Sequence, residues 1–530
     1  MKVVSAWIAA QSGWRAALLC FAAGAFAALA HAPFHIVPAF IAAIVVFVWQ
    51  LDGASAAPRP RRAAAMRAWC FASGQFLPGL YWVGAAFNVD SSTYGPLWGV
   101  PATLALALGL ALFWALAAAL AIGFWRSGWR RVAWFALVFG AAEYARGTWF
   151  TGFPWNLPAY IWQAGEPISQ FAAIGGAYGL SLLTLALAAA PATLSDRASG
   201  ALARLAPVLI TALAFGLVWG AGVHNLARPL ASDPAAPIVR VADAGVSQRD
   251  KWERRPDQEW RMLARYIAVS GDAADSRAAV LIWPEGALPA VNTFLLEDPA
   301  LQNAIGRFLG DRALVLGFSR REAAPGGVAH YFNSAGIIDG VAGRARIAQI
   351  YDKHHLVPFG EYIPFWSMFS GLNIAPLQQI GAGFTPGAPP SRVIIPEAPP
   401  AIILICYEAI FPGMTPRGAD RPGWIINVTN DAWYGRGTGP WQHFNQARYR
   451  AIEEGLPLAR AASGGVSAIV DPFGRTVMAT GLDGGAAEAR LPTALPPTIY
   501  ARWGQFIVPL LFGLLLILSL APRRARPRGE

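Results

Sequence analysis

Seven apolar stretches, near residues 13–31, 35–51, 68–87, 96–124, 131–149, 168–192 and 205–223, precede residue 225, and an eighth runs from Trp503 to Ala521. Each helical crossing of a bilayer takes about 20 mostly apolar residues. A chain written this way is committed to a bundle of membrane helices before anything else about it is settled. Pro78 and Gly79 interrupt the third stretch, and Glu143 and Arg146 sit in the fifth. Ionisable groups inside a span face protein or water. Charged residues make up 14% of the chain, well below the roughly 25% of soluble domains.

The links between stretches alternate in charge. Arg59, Arg61, Arg62 and Arg67 lie in the second, Arg126, Arg130 and Arg131 in the fourth, and Arg197 and Arg204 in the sixth, while the first and third contain no Lys or Arg. The positive-inside rule then places the even links in the cytoplasm and the N-terminus inside. The residues from about 225 to 500 fall outside, and the arginine tail from 523 returns to the cytoplasm. The first stretch reads as a retained span, because no small-residue cleavage site is followed by a soluble segment. The expected domains are a seven-helix membrane domain over 1–225, an extracytoplasmic domain over 226–500, a C-terminal transmembrane helix over 501–522 and a basic tail over 523–530. The net charge of +11 is concentrated in links and tail, a pattern suited to a membrane surface and not to nucleic acid.

Between about 237 and 496 the texture changes. Short apolar runs, Val239–Val241, Ala279–Trp283, Leu314–Phe318, Ala335–Ile338, Ile402–Ile405, Trp424–Val428 and Ser467–Val470, alternate with loops and with helix-like stretches at Pro256–Ala268 and Trp441–Glu454. Such alternation predicts an α/β domain whose sheets are covered by helices.

Three strand-like runs end on a reactive side chain: "VLIWPEG" on Glu285, "IAQIYDK" on Lys353 and "IILICYE" on Cys406. Of the three cysteines, Cys20 and Cys70 lie inside apolar stretches, so any thiol chemistry belongs to Cys406. A thiol attacks as thiolate, which a neighbouring cation favours, and a carboxylate in the same pocket can accept and return the proton. Lys353 and Glu285 could supply these groups. The rival arrangement pairs Cys406 with a histidine base, His443, His354 or His355. Two adjacent histidines without further ligands make a poor metal site, and no metal or cofactor is expected.

The phrases "WPEGALP", "YDKHHLVPFGEY" and "CYEAIFP" resemble the Glu-Lys-Cys motifs of the nitrilase superfamily. "KHHLVPFGEYIP", "NVTNDAWYG", "HFNQARYRAIEEGLPLARAASGG" and the N-terminal "GFPWNLPAY" are similar to its membrane-bound branch, the apolipoprotein N-acyltransferase family. The resemblance implies a multi-span α-helical membrane domain joined to an α-β-β-α sandwich. It implies that Cys406 is the nucleophile, Glu285 the general base and Lys353 the residue that stabilises the oxyanion, with Trp252, Glu361, Tyr407 and Glu408 as supporting or substrate-binding residues. Asp243 and Gly245 stand where the family often shows Gln and Asn, and Gly286 where it shows Ser or Thr.

By the same resemblance the enzyme moves an acyl chain from a phospholipid, typically phosphatidylethanolamine, through a Cys406 thioester to the amino group of a lipoprotein's diacylglyceryl-cysteine. It would act as a monomer in a bacterial inner membrane, with its catalytic domain on the periplasmic side. The charge-free aromatic segment Tyr362–Leu372 reads as a lipid-access element, with Trp366 and Phe369 as its candidate residues. Two other readings stay open at this point. One is a membrane-tethered amidase, and the other is a transporter or receptor with an inert thiol.

Overall fold

A backbone in lipid has to satisfy its own hydrogen bonds, which makes apolar stretches helical. The computed structural model describes residues 1–89, 96–196, 200–230, 233–248, 251, 257–272, 276–288, 298–323, 329–366 and 383–520. Its N-terminal half holds α1 (Lys2–Ala10), α2 (Gly13–Ala27), α3 (Val37–Ser55), α4 (Pro60–Gly79), α5 (Gly99–Ala121), α6 (Trp129–Thr148), α7 (Ala172–Ala189) and α8 (Ala201–Leu226). Among the described residues six segments, 13–30, 37–55, 99–124, 167–195, 201–226 and 499–520, are long and apolar enough to cross a membrane.

The other two expected spans are α4 and α6. Both have 20 residues, about 30 Å of helix at 1.5 Å per residue, and both bury ionisable groups within the span, Arg67 in α4 and Glu143 and Arg146 in α6. The α4 helix begins eight residues before the expected stretch and ends at Gly79. Pro60 opens its first turn, where a missing N–H costs nothing, and buried Arg67 donates to the carbonyls of Gln50 and Gln11. Glycine sets the contact between α2 and α4: a Cβ on Gly24 would lie 1.9 Å from the carbonyl oxygen of Phe71, and one on Gly74 2.0 Å from that of Phe21. Such small residues let membrane helices touch backbone to backbone. Arg131 stands 2.7 Å from Asp52 and 3.0 Å from Asp196. These contacts bring together the ends of the second, fourth and sixth links.

The C-terminal half is built on two sheets. One has the order β11-β1-β2-β3-β4-β5, from β1 (Ile238–Asp243), β2 (Val280–Trp283), β3 (Ala313–Ala323), β4 (Ala329–Val341), β5 (Arg344–Asp352) and β11 (Gly485–Arg490). The other has the order β10-β9-β8-β7-β6, from β6 (Ala401–Ile405), β7 (Trp424–Asn430), β8 (Leu458–Ser463), β9 (Ala468–Val470) and β10 (Thr476–Ala479). All seven apolar runs picked from sequence fall on strands; β8, β10 and β11 were not among them, β10 being short and exposed and β8 and β11 rich in alanine.

Period-two alternation sorts their side chains between two faces. Val239, Val241, Val280 and Ile282 of the first sheet pack with Ile403, Ile405, Ile426 and Val428 of the second. On the outer faces, Leu281, Trp283 and Leu314 meet α9 (Gln258–Ser270) and α10 (Pro299–Leu309), while Ile402, Leu404 and Leu458 meet α11 (Gly439–Glu454). The result is an α-β-β-α sandwich. Strands covered on both faces are written as unbroken apolar runs, which is why they were visible. The chain returns to the bundle through α12 (Ile499–Trp503) and α13 (Ile507–Leu520).

Candidate active site

Strand β6 delivers its last apolar side chain at Ile405, and the backbone then bends sharply. Cys406 adopts φ +48°, a left-handed conformation that costs a non-glycine residue about 1–3 kcal/mol. The buried Glu408 carboxylate holds the bend. It accepts the N–H of Ile405 at 2.7 Å, those of His354 and His355 at 2.8 and 3.1 Å, and the hydroxyl of Tyr351 at 2.8 Å. One side chain thus ties the turn carrying Cys406 to the loop that leaves Lys353.

Glu285 follows β2, and Lys353 is the first residue after β5. The Lys353 ammonium lies 2.8 Å from Glu361 Oε1 and 3.9 Å from Glu285 Oε1. Asn333 of β4 donates to both of those carboxylate oxygens at 2.6 Å, and the Asn430 N–H reaches the other oxygen of Glu285 at 2.9 Å. Glu361 is fixed at its second oxygen by the Val357 N–H, 2.8 Å away. Burial alone would lower the Lys353 pKa, but Glu361, Glu285 and Cys406 outweigh it and raise the pKa above the usual lysine range. Lys353 is a locked cation.

Burial pushes the Cys406 thiol up to about 12, Glu285 adds to that, and Lys353 opposes it without prevailing. The resting thiol is therefore protonated at neutral pH, with the Tyr434 hydroxyl 3.8 Å from its sulfur. Attack then requires a base at the moment of bond formation, and Glu285 is the carboxylate that the thiol senses most strongly. The histidines are occupied elsewhere. His443 is wholly buried, its ring nitrogens 2.8 Å from Asp431 Oδ1 and 3.2 Å from the carbonyl oxygen of Cys406. His354 contacts the Gly387 carbonyl and His355 that of Thr151. Among the described residues no group of three or more His, Cys, Asp or Glu side chains could hold a metal ion.

The family model for the N-terminal domain of apolipoprotein N-acyltransferases matches residues 23–190, and that for carbon-nitrogen hydrolases matches residues 240–491. An apolipoprotein N-acyltransferase of Rhodopseudomonas palustris is 36% identical over 100% of this chain and 98% of its own length. Those of Bradyrhizobium diazoefficiens and Brucella melitensis are 38% and 39% identical, over 97% and 93% of this chain and 96% and 92% of their own. The chain belongs to the apolipoprotein N-acyltransferase family.

In this member of the apolipoprotein N-acyltransferase family the membrane half also builds the site. Tyr407 donates its hydroxyl to the Gly152 carbonyl at 2.8 Å, next to the Thr151 carbonyl that meets His355. Phe150, Thr151 and Asn156 all carry positive φ, so this loop is wound tightly. Arg146, paired with Glu143, holds it through the Phe153 carbonyl. Trp82 and Trp155 from the bundle both donate to Gln442 of α11, and the Trp82 ring sits 4.4 Å from that of Tyr434.

Of the supporting residues expected from sequence, Glu361, Tyr407 and Glu408 stand beside Lys353 and Cys406. Trp252 and Phe369 lie outside the described residues, and Trp366 is half-buried. Sequence reasoning missed Asn333, Tyr434 and Lys251. Tyr434 lies within the quoted "NVTNDAWYG", and Asn333 is an amide at the start of the buried stretch of β4, which is the signal that could have found it. Lys251 is buried, donates to Ser463 at 2.8 Å, and is lowered by burial to about 8 against the pull of Asp243 and Glu285. That pairing gives the unusual Asp243 a counter-charge. Gly245 and Gly286 have φ of +62° and +61°, conformations glycine takes without a steric penalty.

Proposed function

We propose that the chain N-acylates lipoproteins by a two-step transfer at Cys406. Glu285 takes the thiol proton as Sγ attacks the ester carbonyl carbon of a phospholipid. The oxyanion that forms is stabilised by the Lys353 ammonium. Collapse expels the glycerol oxygen, which receives the proton from Glu285, and a lysophospholipid leaves with the acyl chain held as a thioester. The α-amino group of a diacylglyceryl-cysteine then attacks the thioester, Glu285 accepts its proton, and the sulfur leaves and is reprotonated as the amide forms. Glu361 and Asn333 keep Lys353 and Glu285 in register.

Both substrates are lipids of one leaflet, so a single pocket at the membrane surface can serve the two half-reactions in turn. Phosphatidylethanolamine is the proposed donor, and the protein works as a monomer in the inner membrane with residues 226–500 on the periplasmic side, carried by the helices of 1–225 and 501–522 and followed by a cytoplasmic tail at 523–530. The observation that carries this reading is the convergence of Glu285, Lys353 and Cys406 from the ends of three strands on two sheets, with Lys353 3.9 Å from Glu285.

Mass spectrometry of the purified protein is the test. The expected result is a hydroxylamine-labile fatty acyl group on Cys406, absent from Cys406→Ala and slow to form in Glu285→Gln. Normal acylation of a diacylated lipopeptide by Cys406→Ala overturns the reading.

A further inference from the structure

Where α8 and α12 meet the catalytic half there is a cavity of about 400 Å³ that shares no lining residue with the Cys406 site. Its rim carries Arg228, just beyond the end of α8, and Arg502, in α12. Ile174 and Ile499 form part of its wall. Ile452 of α11 lies at its base, nine residues along that helix from His443, which corresponds to about 14 Å of rise.

The charge on the rim is uncompensated. The Arg228 guanidinium stands 3.4 Å from His224, and among the described residues neither Arg228 nor Arg502 pairs with a carboxylate. Asp471, in the turn beside Pro472 and Phe473 of the lining, is already bound by Arg475 at 2.6 Å. Gln170 is spent on the carbonyl of Phe473. Two guanidiniums facing one space form a strong receptor for a phosphodiester, whose oxygens each can accept paired N–H donors.

The apolar part of the lining points to the rest of the ligand. Ile174 and Ile499 are 45% and 51% exposed, apolar surface that would be costly in water and is ordinary in lipid. The cavity also lies at a definite depth. Arg228 follows Leu226, the last residue of a membrane-length helix, and Arg502 precedes α13, beside Trp503 and Phe506, which are 61% and 73% exposed. Aromatic rings of this kind mark the level of lipid headgroups.

We infer that this cavity is a second, non-reactive lipid site: an anionic phospholipid lodges its phosphodiester between Arg228 and Arg502 and lays an acyl chain along Ile174 and Ile499. The lipid is kept and not consumed, because neither a thiol nor a base of the Cys406 site lines the cavity. A zwitterionic headgroup would bring its ammonium towards two arginines, so a phosphatidylglycerol-type lipid is favoured. The inference is independent of the roles assigned at Cys406.

The test uses the full chain with Cys406→Ala, so that no lipid is turned over, purified in detergent and titrated with phosphatidylglycerol while native mass spectrometry counts bound lipid. One phosphatidylglycerol is expected to persist at concentrations where phosphatidylethanolamine is lost. Adding Arg228→Gln and Arg502→Gln should weaken its retention tenfold or more, and Arg228→Lys with Arg502→Lys should restore much of it, which separates lost charge from lost packing. Unchanged retention by the double Gln variant overturns the site. Equal retention of the two lipids overturns its preference for an anionic headgroup, and full displacement by millimolar inorganic phosphate shows a free-anion site instead.

Discussion

Glu408→Gln tests whether the second carboxylate beside Cys406 is chemical or architectural. Glu408 accepts four hydrogen bonds, three at Oε1 and one, from the Ile405 N–H at 2.7 Å, at Oε2. A glutamine oriented to keep its oxygen on Tyr351, His354 and His355 would turn its NH2 against the Ile405 N–H. One charge-assisted bond, worth about 1.5–3 kcal/mol, is lost, and two buried donors are left facing each other at about 1–3 kcal/mol more. The expected destabilisation is about 2.5–6 kcal/mol. At about 2–4 °C per kcal/mol for a domain of this size, the melting transition of the catalytic half should fall by roughly 5–24 °C in detergent. The position of Cys406 relative to Lys353 should loosen with it, so thioester formation should slow in proportion to the loss of structure. Thermal unfolding and acyl-enzyme formation are measured on the same preparation. Abolished acylation with an unchanged melting temperature would refute the architectural role and make Glu408 a participant in the chemistry.

Lys251, lowered by burial to about 8, should give thioester formation a basic limb: above that pH the cation facing Asp243 and Glu285 is lost. Lys251→Arg should move the limb upward by more than one pH unit, and a profile that stays in place counts against the assignment. Burial, reinforced by Glu453, raises Glu454 to about 8 against Arg417, Arg450 and Arg421, whereas an unfolded glutamate titrates near about 4.3. The folded state therefore holds a proton that the unfolded state has released, and this stability is complete below about pH 4.3 and lost as pH rises towards 8. Melting temperatures in detergent should fall from pH 5 to pH 8 and fall less in Glu454→Gln; identical slopes would remove Glu454 as the cause. Phe365 is 70% exposed, and Phe365→Glu with Trp366→Glu should cut turnover of bilayer phospholipid about tenfold while sparing a water-soluble acyl ester. Equal loss on both substrates with a lower melting temperature would show that the segment is core.

Of the residues proposed to react, Glu285 and Cys406 were legible because each follows a strand whose apolar run is buried throughout, whereas β5, which leads to Lys353, is largely exposed and was legible only as a strand-like run. Asn333 was not legible in the same way. Its role depends on β4 pairing with β5 so that the Lys353 N–H meets the Asn333 carbonyl at 2.8 Å, and register is not written in hydrophobicity. The α4 helix was misplaced by eight residues because a count of apolar positions penalises Arg67, while the folded chain satisfies it with carbonyls of α3 and of the α1–α2 link. His443 looked like a rival base for want of its partners; Asp431 and the Cys406 carbonyl occupy it only once β7 and α11 are packed together.

The bond between Tyr407 and Gly152 spans 255 positions of sequence. The sandwich has its own interior, yet Tyr407, Ile410 and Phe411 share a core with the helices and the edge that carries Cys406 is finished by a carbonyl that another half of the molecule supplies. The two halves are therefore not interchangeable parts. A chimera joining one relative's bundle to another's sandwich could fold in both pieces and still present Tyr407 and His355 with a loop of the wrong pitch. Substitutions in the tightly wound turn at Phe150–Asn156 are therefore expected to act on Tyr407 and His355 as well as on the turn itself.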